Sequence, residues 1–202
     1  PHDVCDKYLD IYGLEGVFPV ADTPIGKLAA IASEEILYPE VARCHAIRGA
    51  EIFLHSTSET ASPNLTIKQI ARRARALENL AYVVSANNAT LTGIDVPVDS
   101  SNGFSDIIDW QGGQMVVAGV GDSSVANAYL DMAGLRAARR RPQMSNMLSR
   151  QALELFADSY AQADLRRRNG LLEGGQLKIP DRSYFQARQA DAIQRMTERG
   201  IL

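Results

Sequence analysis

Residues 25–43 read IGKLAAIASEEILYPEVAR, and this stretch decides how the rest of the chain is interpreted. Residues 27–32 are nearly all apolar, which is typical of a strand that is buried on both faces. Polar residues begin abruptly at Ser33, and Pro39 is well placed as the first residue of a helix. The stretch therefore predicts a strand, a sharp turn and a helix, and polar groups at such a turn often carry chemistry in α/β folds.

The composition is typical of a globular protein and gives no sign of a nucleic-acid-binding or membrane protein. Of the 202 residues, 46% are hydrophobic and 22% are charged, as in ordinary globular domains. The net charge of −3 gives no reason to expect nucleic acid or a membrane as a partner, and no apolar run approaches the ~20 residues of a membrane span. Cys5 and Cys44 form no spaced metal motif, and no signal peptide is visible, so a cytoplasmic setting is expected. The first residue is Pro1 instead of Met, which fits a fragment or a processed piece.

Segments after the opening stretch extend it into an α/β pattern. The helix predicted over residues 39–49 is followed by a second buried strand over residues 50–55, and a βαβ unit implies parallel pairing. Apolar residues at spacings of three and four predict an amphipathic helix over residues 67–81, with Ser62 as its N-cap. A third strand is predicted over residues 82–86.

The C-terminal half changes character along its length. Two extended runs within residues 103–118 flank a Gly-Gly pair and predict a β-hairpin. A further strand is expected over residues 125–130, and a short basic helix over residues 132–141. We expect a boundary near residue 144, which separates an α/β core of residues 1–144 from a helical tail of residues 145–202.

Taken in order, these segments resemble the carbon–nitrogen hydrolase (nitrilase/amidase) superfamily. The resemblance covers roughly residues 15–141. It implies a four-layer α-β-β-α sandwich, of which this chain would carry the C-terminal part. The matching segments are residues 25–43, 48–52, 73–79, 82–84 with Asn87, and 103–108.

The resemblance also implies a site. Members of the superfamily use a Glu as base, a Lys that stabilises the tetrahedral intermediate and a Cys as nucleophile on amide-type C–N bonds or nitriles. Counting back from Pro39, the nucleophile position is Ser33. Cys44 lies on the following helix and Lys27 inside the preceding strand, so neither replaces a family residue. The family's Glu and Lys belong to an N-terminal portion that has no match among these residues.

Three explanations of Ser33 remain open. An engineered Cys→Ser change would trap a bound substrate. A natural change would mark an inactive homologue that serves as a structural or regulatory subunit. The third is a genuine serine hydrolase. A thiol has a solution pKa of ~8.5, whereas a serine hydroxyl is far less acidic and needs a well-placed base. The expected function is therefore that of an amidase-like hydrolase with impaired activity.

Further roles follow from the resemblance. The backbone N–H of Glu34 would contribute to an oxyanion site, and the side chains of Glu34 and Glu35 would line or brace the pocket. His55, which ends the next strand, and Ser58, in the loop after it, are candidate pocket residues, although a hydrogen-bonded core histidine is equally plausible for His55. We interpret the remaining motif residues as structural: Glu40, Arg43 and Glu78.

The expected partners are a small amide or nitrile substrate and further copies of the chain. Family members commonly dimerise through the two helices that correspond to residues 38–49 and 66–81, and the tail could wrap a neighbouring subunit. No cofactor or metal is implied. Trp110 is interpreted as a packing residue, and the arginines of residues 139–141 and 166–168 as solvated helix ends.

Overall fold

The computed structural model describes residues 2–101, 103–120 and 123–202. Residues 18–151 form one compact unit, and the residues up to Val17 join residues 152–202 in a second. The helices are α1 (Cys5–Tyr12), α2 (Pro39–Ile47), α3 (Ile67–Asn79), α4 (Met132–Arg140), α5 (Met147–Arg150), α6 (Glu154–Ala163) and α7 (Arg182–Glu198). The strands are β1 (Ala21–Thr23), β2 (Gly26–Ala32), β3 (Ile52–Thr57), β4 (Tyr82–Asn87), β5 (Asp106–Ile108), β6 (Gln114–Val117), β7 (Leu172–Glu173) and β8 (Gln176–Leu177).

One six-stranded sheet organises the larger unit, in the order β1-β2-β3-β4-β5-β6. The three central strands β2, β3 and β4 are parallel, with Leu28 beside Ile52 and Ile52 beside Tyr82. The outer strands pair antiparallel, and β5 and β6 form the predicted hairpin. The α/β fold and the parallel pairing predicted for the opening stretch are confirmed. Because the carboxyl ends of parallel strands share one edge of a sheet, the residues that follow β2, β3 and β4 come together there.

Two helices cover one face of this sheet. α2 and α3 contribute alanines to the contact, and small side chains let a helix axis approach a sheet closely. The hairpin turn contacts α3 as well, since Arg73 Nε donates to the carbonyl of Gly112 over 3.0 Å and Gly112 has a φ of +80° that favours glycine. The buried core on this side contains Ala29, Ile31, Ile36, Ala42, Ala46, Ala50, Phe53, Ala71, Ala76, Ala81, Val83 and Ile108.

α4 covers the amino ends of the strands on the opposite face. Leu135 is fully buried there with Ile52 and Tyr82, and the ring of Trp110 meets the ring of Tyr82 edge-on at 5.2 Å. The prediction that Trp110 packs is confirmed. Farther along β3, Leu54 keeps 42% of its surface exposed, so the carboxyl half of this sheet face is not covered within the described part of the unit.

Two arginines attach α4 to the sheet. Arg136 makes two hydrogen bonds to the carboxylate of Glu51, of 2.7 and 3.0 Å, and these bonds lower the Glu51 pKa to about 2. Arg139 donates to carbonyl oxygens of Ala50, Asn79 and Leu80. The interpretation of Arg139 as a solvated helix end is therefore wrong. Carbonyl groups near the carboxyl ends of α2 and α3 have no N–H partner within the helix, and the Arg139 guanidinium donates hydrogen bonds to them instead.

Two other predictions fail for local reasons. The N-cap of α3 is Thr66 and not Ser62, because Thr66 Oγ1 accepts from Gln69 N over 3.1 Å while Gln69 Oε1 accepts from Thr66 N over 2.8 Å. Residues 125–130 form no strand, since they pair with no neighbouring strand in the described structure.

The second unit is held together around Asp3. Its carboxylate accepts from Arg188 Nη2 over 2.6 Å and from the Tyr184 hydroxyl over 3.1 Å, which joins the chain start to α7. This long-range pairing explains why the first residues group with residues 152–202. The division expected at residue 144 had instead assigned them to the α/β core. The unit also contains the short hairpin β7–β8, so the tail is not purely helical. No helix in the described ranges is long and apolar enough to cross a membrane.

Candidate active site

Ser33 occupies a strained turn at the carboxyl edge of the sheet. It directly follows β2 and begins a 3₁₀ turn over Ser33–Leu37, and Tyr38 separates this turn from α2. Its φ is +46°, in the left-handed region, where a residue with a side chain costs roughly 1–2 kcal/mol. Strained strand-to-helix turns of this kind present the nucleophilic serine in α/β-hydrolases. Ser33 is half-buried, so part of its surface remains open to solvent.

His55 supports this turn from inside the unit. Its Nε2 lies 2.9 Å from the Ser33 carbonyl oxygen, and its Nδ1 lies 2.8 Å from Ser85 Oγ. A carbonyl oxygen can only accept, so Nε2 carries the proton and Nδ1 accepts from the Ser85 hydroxyl. Burial lowers the pKa of His55, opposed by the bond to Ser33 and assisted by the charge of Arg72. His55 is therefore a neutral, fully bonded histidine whose ring orients the Ser33 backbone.

A buried ion network continues beneath His55. Arg72 is 1% exposed, and its Nη1 donates to Ser85 Oγ over 2.6 Å. The same guanidinium lies 3.2 Å from Asp106 Oδ1 and 3.6 Å from Glu59 Oε1. Burial raises the pKa of Asp106, and the Arg72 charge opposes this shift. Sequence reasoning missed this network, because its members lie on α3, β4, β5 and a loop, and no short motif links them.

Sequence reasoning also missed Lys68. It lies in the first turn of α3, with 9% of its surface exposed, and its Nζ donates to Ser33 Oγ over 3.0 Å. Nζ also donates to Thr57 Oγ1, at the end of β3, over 3.2 Å. One signal in the sequence could have placed Lys68 in the first turn of α3: the Thr-x-x-Gln pattern of residues 66–69 is typical of a capping box, with Thr66 as the N-cap.

The other residues predicted for the pocket differ in position. Glu35 reaches back, and its Oε2 accepts from Ala32 N over 2.8 Å, so it braces the turn. Glu34 and Ser58 are exposed, and no side-chain bond joins them to Ser33 in the described structure. Of the four candidate side chains, His55 and Glu35 therefore contact the backbone of the turn or of the strand before it.

The residues interpreted as structural lie on α2 and α3. Glu40 is in the first turn of α2, where its charge complements the helix dipole. Glu78 accepts from Arg75 Nη1 over 2.8 Å. Burial lowers the pKa of Arg43, and the charge of Glu78 opposes that shift, so these two side chains lie near each other. Across the described ranges, no group of three or more His, Cys, Asp or Glu residues could hold a metal ion.

Comparison with known proteins gives the family. The model of the carbon–nitrogen hydrolase family matches residues 7–140. The chain belongs to the carbon–nitrogen hydrolase family. It is 33% identical over 93 residues to the nitrilase and fragile histidine triad fusion protein NitFhit of Caenorhabditis elegans. A probable nitrilase of Schizosaccharomyces pombe is 36% identical over 70 residues. These matches cover 46% and 35% of this carbon–nitrogen hydrolase chain, and 20% and 25% of the relatives.

Solved structures of the nitrilase superfamily share the fold. A carbon–nitrogen hydrolase from Helicobacter pylori superposes with a TM-score of 0.57 at 20% identity, over 70% of this chain and 51% of that one. Nit3 of Saccharomyces cerevisiae gives a TM-score of 0.52 at 22% identity, over 62% of this chain and 45% of that one. This carbon–nitrogen hydrolase chain thus spans about half the length of these structures.

Proposed function

We propose that this chain carries the nucleophile position of a hydrolase that acts on non-peptide C–N bonds, with Ser33 in that position. The observation that carries the proposal is the geometry of Ser33: a left-handed backbone directly after a parallel strand, with its hydroxyl bonded to a lysine. An ordinary strand-end serine needs neither feature. Membership of the family supports the class of reaction, and a small amide or a nitrile is the proposed substrate.

The proposed chemistry is acyl transfer. Ser33 Oγ attacks the amide carbonyl carbon, and the carbonyl oxygen gains negative charge that the Glu34 backbone N–H is proposed to stabilise. Collapse of the intermediate releases the amine and leaves an acyl ester, which water hydrolyses. His55 and Glu35 act as positioning residues for the turn. His55 donates a hydrogen bond to the Ser33 carbonyl oxygen, and Glu35 accepts one from the backbone N–H of Ala32.

The experiment compares Ser, Cys and Ala at position 33. Ammonia release is measured on a panel of small amides and nitriles for the wild type, Ser33→Cys and Ser33→Ala. A thiolate is the stronger nucleophile, so the cysteine form is expected to be about tenfold faster or more, and the alanine form inactive. If the wild type and the cysteine form both remain folded and neither releases ammonia from any compound, the proposal fails.

A second candidate is a catalytically silent subunit. The observation that favours it is the serine itself, since the family resemblance places a cysteine there. It predicts a different outcome of the same experiment, in which Ser33 is inert and the cysteine form gains little. A subunit of this kind would still bind a partner through the helices described next.

We also propose self-association through α2 and α3. Among the residues of these helices and their starts, several large apolar side chains are exposed, and such a patch marks an interaction surface. The exposed apolar residues, with the exposed fraction of each, are Tyr38 57%, Ile47 51%, Ile67 69%, Ile70 56% and Leu77 39%.

A cytoplasmic location remains part of the proposal, because Cys5 and Cys44 are both free thiols.

A further inference from the structure

The surroundings of Lys68 are unusual for a lysine. Lysines are almost never fully buried without a paired charge, because removing an ammonium group from water is costly. Lys68 is 9% exposed, yet among the side chains that the structure describes no carboxylate lies within ion-pair distance of its Nζ. Its partners are two hydroxyl groups, those of Ser33 and Thr57. A lysine that stabilised the fold through an ion pair would have a carboxylate instead.

The fold holds Lys68 on Ser33 from two sides. The cap formed by Thr66 and Gln69 fixes the first turn of α3, which carries Lys68. The Thr57 hydroxyl, at the end of β3, holds Nζ 3.2 Å away, beside the place where β2 presents Ser33. The bond of 3.0 Å from Nζ to Ser33 Oγ therefore joins two fixed elements, α3 and the turn. This distance suits proton transfer as well as hydrogen bonding.

His55 is not available as the base for Ser33. Its Nε2 donates to the Ser33 carbonyl oxygen, and its Nδ1 accepts from Ser85, so both ring nitrogens are occupied away from the hydroxyl. Within the described structure, Lys68 is the titratable side chain that hydrogen-bonds to Ser33 Oγ. Serine–lysine pairs act in acyl transfer on other folds, where the neutral amine removes the serine proton.

We propose that Ser33 and Lys68 form a serine–lysine catalytic pair, an assignment that rests on the proposed function of Ser33. As Oγ bonds to the substrate carbonyl carbon, its proton passes to the neutral amine of Lys68. The resulting ammonium gives that proton to the leaving nitrogen as the C–N bond breaks. In the second half, water attacks the acyl ester, its proton passes to Lys68, and Lys68 returns a proton to Ser33 Oγ. The net reaction consumes one water and yields an acid and an amine.

The pair accounts for a serine at a position where the family has cysteine. A hydroxyl needs a base in direct contact, whereas a thiol can be used as a preformed thiolate. Lys68 supplies that base from an element that follows the nucleophile in the chain. The family resemblance instead implied a Glu and a Lys that precede it, so Lys68 matches neither.

The experiment measures labelling of Ser33 by a fluorophosphonate probe across a range of pH. Phosphonylation uses the same first step, with fluoride as the leaving group and the proton passing to Lys68. The variants are Lys68→Met, which removes the amine, and Lys68→Arg, which offers hydrogen-bond donors but stays protonated and so cannot act as a base. Lys27→Met is the matched control, because Lys27 is an exposed lysine on β2. Both Lys68 variants should label about 100-fold more slowly, and the control at the wild-type rate.

Different results overturn different claims. Labelling that persists in both Lys68 variants overturns the pair and leaves Ser33 as a nucleophile. Labelling lost in Lys68→Met but kept in Lys68→Arg also overturns it, because a cation alone would then suffice. A wild type that is never labelled overturns the proposed function together with the pair.

A measurement with Lys68 intact guards against misfolding of the variants. In Ser33→Cys, alkylation of the thiol by iodoacetamide is followed against pH. An amine in contact lowers the pKa of a thiol, because the thiolate is stabilised by the ammonium that forms when the amine takes up a proton, so half-maximal alkylation should fall clearly below the pH of ~8.5 of a free thiol. A midpoint at or above that value would mean that the lysine does not contact position 33, and would overturn the pair.

Discussion

His55 is the side chain through which the buried network reaches Ser33. Burial lowers its pKa below the ordinary value of 6.5, and the charge of Arg72 acts in the same direction. Between the folded and the unfolded pKa, the unfolded chain therefore binds more protons than the native chain, and stability rises with pH. The contribution of neutral His55 is complete above pH 6.5 and is lost as the pH falls below it.

We predict that His55→Gln weakens this acid dependence. Thermal unfolding followed by circular dichroism from about pH 7 to about pH 5 should show a smaller decrease in Tm than in the wild type. The variant should also lose about 1–3 kcal/mol of stability at pH 7, because glutamine has no group at the place of the ring Nδ1 and the buried Ser85 hydroxyl loses that acceptor. His45→Gln is the comparison: burial lowers the pKa of His45 too, so this variant should also weaken the acid dependence, but its backbone hydrogen bond is to Pro19 and not to Ser33. An unchanged acid slope in His55→Gln would contradict the prediction.

At the scale of single elements, α3 depends on its first residue. Thr66 Oγ1 accepts from Gln69 N and donates to Glu59 Oε2. We predict that Thr66→Ala destabilises the protein by about 1 kcal/mol, measured by urea unfolding, since a capping hydroxyl is lost. Labelling of Ser33 should slow as well, because the cap positions Lys68. Ser62→Ala tests the alternative cap directly and should change stability by less than about 0.5 kcal/mol; an equal loss in both variants would argue against Thr66.

The sequence predicted the elements whose signals are local. The strand before Ser33 and the helix after Pro39 have strong signals of their own, an apolar run and a proline at the first helical position. The N-cap was misassigned because Ser62-Pro63 looks like a helix start, whereas the reciprocal Thr66–Gln69 bonds decide the outcome. Lys68 was out of reach, since only the pairing of β2 with β3 and the packing of α3 bring it to Ser33 across 35 positions.

At the scale of the whole molecule, self-association through α2 and α3 can be tested by measuring the molecular mass of the protein in solution. We predict that Ile70→Glu lowers the mass measured by light scattering to that of a single chain, because a charge cannot be buried in an apolar interface without a partner. Ile70 is 56% exposed, so the substitution should leave the Tm of the chain nearly unchanged. Ile25→Glu, at a position 69% exposed in the turn before β2, is the control and should keep the wild-type mass. Equal masses in the two variants would contradict an interface on α3.

The division of the chain shows where sequence reasoning stops. A change in composition near residue 144 is visible in the sequence, but the pairing of Asp3 with Arg188 spans 185 positions and has no local signature. The hairpin β7–β8 turns at Gly174-Gly175, and both glycines have positive φ. That Gly-Gly signal resembles the one that predicted the β5–β6 hairpin, but the flanking strands have two residues each and are too short to show alternation.

The left-handed backbone of Ser33 has an evolutionary consequence. Only glycine adopts this conformation without penalty, so any residue that can react here makes the folding equilibrium roughly tenfold less favourable. One substitution to glycine would remove that penalty and the reactive group together. Selection for stability alone would therefore favour glycine at this position wherever the relief of strain exceeds the cost of the lost bond to Lys68, and the resulting protein would carry no nucleophile there.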